Sequence, residues 1–254
     1  MSLYSQLSEA CRDDRRQMAV LIDPDKVSPK HLDKLCALAE AAAIDYFFVG
    51  GSLITRGNIH DTIRGLKART SIPVVIFPGG HQQVDENADA ILLLSLISGR
   101  NPEMLIGQHV LAAPRLKSSE LEIIPTGYIL IDGGKMTTVQ YVSDTVPIPT
   151  DKPEIAAYTA LAGEQLGLKA IFAEAGSGAL NTVPTEIVRA IRREVHIPLI
   201  VGGGIRTFEQ AIDLYSAGAN ILVIGNHLES HPEQLEALAL ARFAHVDQSH
   251  KKGL

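Results

Sequence analysis

Residues 197–226 read IPLIVGGGIRTFEQAIDLYSAGANILVIGN. A short apolar run ends on three glycines, Gly202, Gly203 and Gly204. Thr207 followed by Gln210 is a capping-box pattern, so a helix starts there. Gly218 supplies the stop. A second apolar run, 220–224, ends on Gly225 and Asn226. Strand, glycine turn, capped helix, strand and glycine turn together make one unit of a parallel α/β fold.

The same rhythm extends to the rest of the chain. Short aliphatic runs lie at 18–22, 44–49, 73–77, 90–94, 127–131 and 169–173, before the pair at 198–201 and 220–224. Their near-continuous hydrophobicity suits strands covered on both faces. Between them lie helical patterns. Ser28-Pro29 reads as an N-cap with a first-turn proline, and Asn101-Pro102 repeats the signal. Another helix begins near Pro153 and stops at Gly167. Eight strand–helix units predict an α/β fold, a (β/α)8 TIM barrel, in one domain over 1–254. An open doubly wound sheet is the competing architecture, but no G-x-G-x-x-G follows the first strand. The stretch 79–89 after strand three is too short for a full helix and is expected to be irregular. Residues 133–150 show no clear helical period and are expected to form a long loop. Tyr4 and Leu7 are expected on a helix closing the barrel bottom. The halves also echo each other: LIDPDK (21–26) against LIDGGK (130–135), and IPVVIFPGG (72–80) against IPLIVGGG (197–204).

Composition excludes other classes. The 254 residues are 46% hydrophobic, with two cysteines and a net charge of −6. Two cysteines make no disulfide framework. The opening MSLYSQLSEACRDDRRQ has no apolar run, which predicts no signal peptide and a cytoplasmic protein. No run approaches the ~20 residues of a membrane span. The acidic balance argues against a nucleic-acid partner. An anionic ligand would have to be held by local devices.

Barrel chemistry sits at the C-terminal strand ends. Gly203, Gly204, Gly225 and Asn226 fall after strands seven and eight, where barrels bind phosphate through backbone amides. The alternative is that these glycines serve tight turns only. Glu174 leads Ala175, Gly176, Ser177 and Gly178 after strand six. It suits a base beside a polyol phosphate, or else a helix cap or a partner of Arg206. Asp23 suits a Mg²⁺ ligand with Ser52 at the next strand end, or an Asx-turn. His227 and His231 are read as surface histidines rather than a metal pair.

The ordered set LIDPDK (21–26), FVGGS (48–52), PVVIFPGG (73–80), PIPTDKPEIA (147–156), EAGSGA (174–179), VGGGIRT (201–207) and GN (225–226) resembles the geranylgeranylglyceryl phosphate synthases. The resemblance spans residues 18 to 240. It implies transfer of a prenyl group from geranylgeranyl diphosphate to the C3 hydroxyl of sn-glycerol 1-phosphate, for ether-lipid synthesis. It implies Mg²⁺ on Asp23 and Ser52. It implies glycerol phosphate on Phe172, Ala173, Glu174, Ala175, Gly176, Ser177, Gly178, Gly203, Gly204, Gly225 and Asn226, with Glu174 as the base. It further implies a homo-oligomer, with at most transient contact with a membrane surface. Many members carry tyrosine where this chain has Phe172, so weaker glycerol-phosphate affinity is expected.

Two rival readings remain at this level. A phosphosugar isomerase would use Asp23 and Asp132 as an acid–base pair. A non-catalytic barrel would only bind a phosphorylated lipid.

Overall fold

A computed structural model describes residues 2–244. The strands are β1 (Gln17–Ile22), β2 (Tyr46–Gly51), β3 (Val74–Pro78), β4 (Ala90–Leu96), β5 (Glu122–Leu130), β6 (Ala170–Glu174), β7 (Leu199–Gly202) and β8 (Ile221–Ile224). All pair in parallel, in chain order, and β8 closes on β1. The expected (β/α)8 barrel is therefore the fold.

Eight helices accompany the strands. They are α1 (Leu3–Arg12), α2 (Pro29–Ala41), α3 (Ile59–Lys67), α4 (Gln108–Ser118), α5 (Thr138–Ser143), α6 (Pro153–Gln165), α7 (Thr185–Glu194) and α8 (Phe208–Ser216). Two further short helices, α9 (Asn226–Ser230) and α10 (Leu235–Leu240), follow β8, and a 3₁₀ turn at Ala241–Phe243 comes after them. The start signals work as read. Ser28 Oγ accepts from His31 N, and Thr207 and Gln210 close a full capping box. Gly167 and Gly218 take φ of +88° and +113°, the left-handed conformation glycine tolerates best.

Strand alternation divides the core in two. Met18, Val20 and Ile22 face the helices, whereas Ala19 joins Phe48, Val75, Phe172 and Ile200 inside the barrel. Each strand is thus buried on both faces, which is why its sequence shows no polar alternation. Leu3 and Leu7 of α1 join the inner cluster and close the bottom. The Glu122 carboxylate accepts from Leu3 N and Tyr4 N at 2.6 and 2.8 Å. A negative charge at a helix N-terminus fixes that plug.

Two boundaries differ from the sequence reading, and a third segment is as expected. β5 starts at Glu122, five residues before the expected run, because the pairing with β4 continues past Pro125 to Ala90 opposite Glu122. Residues 133–150 are not all loop, since α5 forms there and Ile148 bridges Ile131. Six residues are too few to display a period. Between β3 and β4 there is only a 3₁₀ turn, His81–Gln83, as the short spacing required.

Candidate active site

The strand ends surround a central cavity of about 1690 Å³, including space open to solvent. Asp23, Ser52, Glu174, Ser177, Gly178, Gly203, Gly204, Gly225 and Asn226 all line it. The remaining expected residues lie behind this wall. Phe172 is inside the barrel, while Ala173 and Ala175 pack outward against the helices. Alternation along β6 requires this: Phe172 and Glu174 face in, so Ala173 faces out.

Glu174 is 5% exposed. Its Oε1 accepts from Gly176 N at 2.8 Å, and among the described residues it forms no ion pair. Burial raises its pKa to about 7, against the single amide bond that lowers it. Arg206 is not its partner; that guanidinium donates to the carbonyls of Leu180 and Ala179. The glycines around Glu174 are needed for approach. A Cβ on Gly203 (φ +83°) would lie 2.5 Å from Glu174 Oε1.

Asp23 forms the Asx-turn: its Oδ1 accepts from Asp25 N at 3.0 Å. Its Oδ2 stands 3.4 Å from Lys26 Nζ, which also binds Glu229. The two sequence alternatives for Asp23 are therefore compatible, since it lines the cavity as well. Asp25 fastens this turn to the loop after β2. It accepts from the amides of Thr55, Arg56 and Gly57 and from the Thr55 hydroxyl. Those bonds, Gly57 first, hold its carboxyl far below the usual range. The loops carrying Asp23 and Ser52 are tied together by this contact.

Asp132 reproduces the Asx-turn at the end of β5, with Gly134 N donating to its Oδ1 at 2.9 Å. It is exposed and does not line the cavity. The Asp23/Asp132 acid–base pair of the isomerase reading is thus not assembled. The half-barrel echo does extend to hydrogen bonding. His227 is half-buried and His231 exposed; they stack at 5.0 Å on the cavity rim.

A second, apolar pocket of about 800 Å³ adjoins the cavity. It occupies the side where the 3₁₀ turn replaces a full helix, and Val84, Ile91, Leu94, Met104 and Ala112 line it. Gly51, Ser52, Phe77, Tyr128 and Val139 line both spaces. Phe77, Tyr128 and Phe172 form an aromatic cluster at 5.2 to 6.1 Å between ring centres. Burial raises the Tyr128 pKa well above its ordinary value, and the nearby Glu174 charge adds to this. Sequence reading missed the pocket and Tyr128, because neither carries a local motif.

Residues 12–242 match the PcrB family. The chain belongs to that family. Among PcrB-family relatives, geranylgeranylglyceryl phosphate synthase of Chitinophaga pinensis is 50% identical over 237 residues, 93% of this chain and 94% of that one. The synthase of Thermococcus kodakarensis is 44% identical over 211 residues, 83% of each chain. A crystal structure of (S)-3-O-geranylgeranylglyceryl phosphate synthase from Thermoplasma acidophilum, in complex with substrate sn-glycerol-1-phosphate, superposes with a TM-score of 0.88 at 34% identity. It covers 95% of this chain and 98% of that one. The match to the PcrB family runs through every strand of the barrel, from before β1 to beyond β8.

The aromatic cluster sharpens the expectation for Phe172. Its Cζ lies 3.0 Å from the point a Cβ on Gly202 would occupy, and Glu174 Oε2 lies 2.9 Å from the same point. A phenol there would sit beside the carboxylate. Phe172→Tyr is expected to lower the KM for sn-glycerol 1-phosphate several-fold. The acid limb of the kcat/KM profile should move to lower pH, because a donor favours the charged carboxylate. If steady-state kinetics across pH 5 to 9 shows neither change, Phe172 contributes packing alone.

Proposed function

We propose that the chain is a prenyltransferase that joins sn-glycerol 1-phosphate to geranylgeranyl diphosphate. The observation that carries this reading is the junction. A polar cavity with a buried carboxylate meets, along a shared wall that includes Ser52 and Tyr128, an apolar pocket. A prenyl diphosphate has that same division, a charged head on an apolar tail. The tail fits the pocket, where each buried CH₂ contributes about 0.8 kcal/mol. The head then falls at the junction, beside Ser52 and Asp23.

Glycerol phosphate fits the other side. Its phosphate takes the amides after β7 and β8, and its C3 hydroxyl points toward Glu174. The carboxylate takes the hydroxyl proton as the oxygen attacks the allylic C1. The new C–O bond forms while the bond from C1 to the diphosphate oxygen breaks, and diphosphate leaves with the electron pair. Positive charge on the allylic carbon develops beside the Phe77 and Tyr128 rings that line both spaces. Holding the two reactants side by side supplies much of the rate.

Mg²⁺ belongs to the proposal. Among the described residues no three His, Cys, Asp or Glu side chains converge on a common point. One carboxylate and one hydroxyl, Asp23 and Ser52, still suit this ion, which keeps waters and completes its shell with substrate phosphates. When bound it neutralises the departing diphosphate. A homo-oligomer and transient contact with a membrane surface are also proposed. No described helix is long and apolar enough to cross a membrane.

Incubating the protein with labelled sn-glycerol 1-phosphate, Mg²⁺ and prenyl diphosphates of several lengths tests the reading. A butanol-extractable ether product is expected, most abundant with geranylgeranyl diphosphate. No such product at any tail length would overturn the proposal.

A further inference from the structure

The internal echo sets Lys135 opposite Lys26, each three residues after an aspartate that closes an Asx-turn. The two ammonium groups differ in what they meet. Lys26 is held between Asp23 and Glu229. Lys135 has no carboxylate within ion-pair distance among the described residues. Its Nζ lies 3.9 Å from the point where a Cβ on Gly178 would stand. Asn226 Nδ2 lies 3.4 Å from that same point. Asn226 Oδ1 is taken by the Ser177 hydroxyl at 2.8 Å, which leaves its Nδ2 free to face the space above Gly178. Two N–H donors, one of them cationic, therefore converge over a glycine whose φ is +72°.

This placement is built into the backbone. Leu180 N and Asn181 N both donate to Gly133 O, at 3.0 and 3.1 Å. A Cβ on Gly133 would lie 2.4 Å from Ala175 O. On the other side of Lys135, Thr137 packs so tightly on Gly176 that a Cβ there would meet it at 2.6 Å. The segment bearing Lys135 is thus clamped before and after the lysine onto the loop that follows β6. The other nearby cation, Arg206, is spent on the carbonyls of Ala179 and Leu180.

We infer that Lys135 is a specificity-determining residue that binds the phosphate of the acceptor substrate, together with Asn226 Nδ2. The inference rests on the transferase reading above. It gives the acceptor phosphate a full positive charge that backbone amides lack. It adds this charge on the Asn226 side of the amide site after β7 and β8, away from the junction where the diphosphate lies. An acceptor without a phosphate gains nothing from this lysine, so the residue selects glycerol phosphate over glycerol.

Isothermal titration of sn-glycerol 1-phosphate into wild type, Lys135→Met and Lys135→Arg tests it. Lys135 is exposed, so the variants should fold as wild type does, which circular dichroism checks. Lys135→Met is expected to weaken binding about tenfold, a charge-assisted bond discounted for solvent. Lys135→Arg should restore most of the affinity. Added salt should weaken wild type more steeply than Lys135→Met. The KM for prenyl diphosphate should not move, and inorganic phosphate should compete less well in the Met variant. Equal affinity and equal salt dependence in wild type and Lys135→Met would overturn the role of Lys135 alone. A loss confined to prenyl diphosphate would do the same. A wild type that takes up no sn-glycerol 1-phosphate would overturn the transferase reading, and this inference with it.

Discussion

Glu174→Gln is expected to lower kcat by about two to four orders of magnitude, the usual contribution of a positioned base. The amide keeps the size and the bond from Gly176 N but cannot take the proton from the acceptor hydroxyl. Two pH effects go with it. The wild-type carboxyl titrates at about 7, so kcat/KM should rise with pH through neutrality and level off above it. The residual activity of the variant should lack that limb. Stability should run the opposite way. A carboxyl whose folded pKa exceeds its ordinary 4.5 favours the fold at low pH. That favour is lost as pH rises from about 4.5 through about 7. Thermal unfolding at pH 8 should therefore find Glu174→Gln more stable than wild type, and at pH 4 no more stable. Wild-type turnover in the variant would remove Glu174 from the chemistry.

Asp23→Asn is expected to be nearly as damaging, about three orders of magnitude in kcat/KM at low Mg²⁺, on the proposed role of the ion. The amide oxygen preserves the Asx-turn to Asp25 N, so the loop should stay in place. What is lost is the negative charge that holds the cation at the junction. Raising Mg²⁺ should recover part of the activity through KM rather than kcat. Mn²⁺ titration followed by electron paramagnetic resonance, with inorganic diphosphate present, reads the site without turnover. Tight Mn²⁺ uptake by wild type and weak uptake by Asp23→Asn is the expected pair. Activity that survives exhaustive chelation would exclude the role given to Mg²⁺.

Much of the site was legible in the chain. Asp23, Ser52, Glu174, Gly203, Gly204, Gly225 and Asn226 were readable because each ends or follows a strand, and strand ends share one face of a barrel. What failed to show were residues whose role depends on neighbours far along the chain. Tyr128 is one more apolar residue in β5 until Phe77 and Phe172 meet it. Met104 and Ala112 look like an ordinary helix face. They line a pocket only because the 3₁₀ turn after β3 leaves the helical ring open beside them. The long connection 133–150 hid α5, since one and a half turns carry no readable period.

The opening stretch, 197–226, set the architecture by local physics. Its capping box, glycine stop and doubly buried strands depend on residues a few positions apart, and the sequence states them directly. The same holds for the order of strands and for the carboxylates that end them. Tertiary structure alone decided which charges matter. Closure of the barrel buried Glu174 and raised its pKa, while Asp132, another strand-end carboxylate, was left in solvent. Pairing of β5 with β6 brought Lys135 over Gly178, across 43 positions of chain. Burial and charge are sums over everything packed around a group, and only the folded chain supplies that sum.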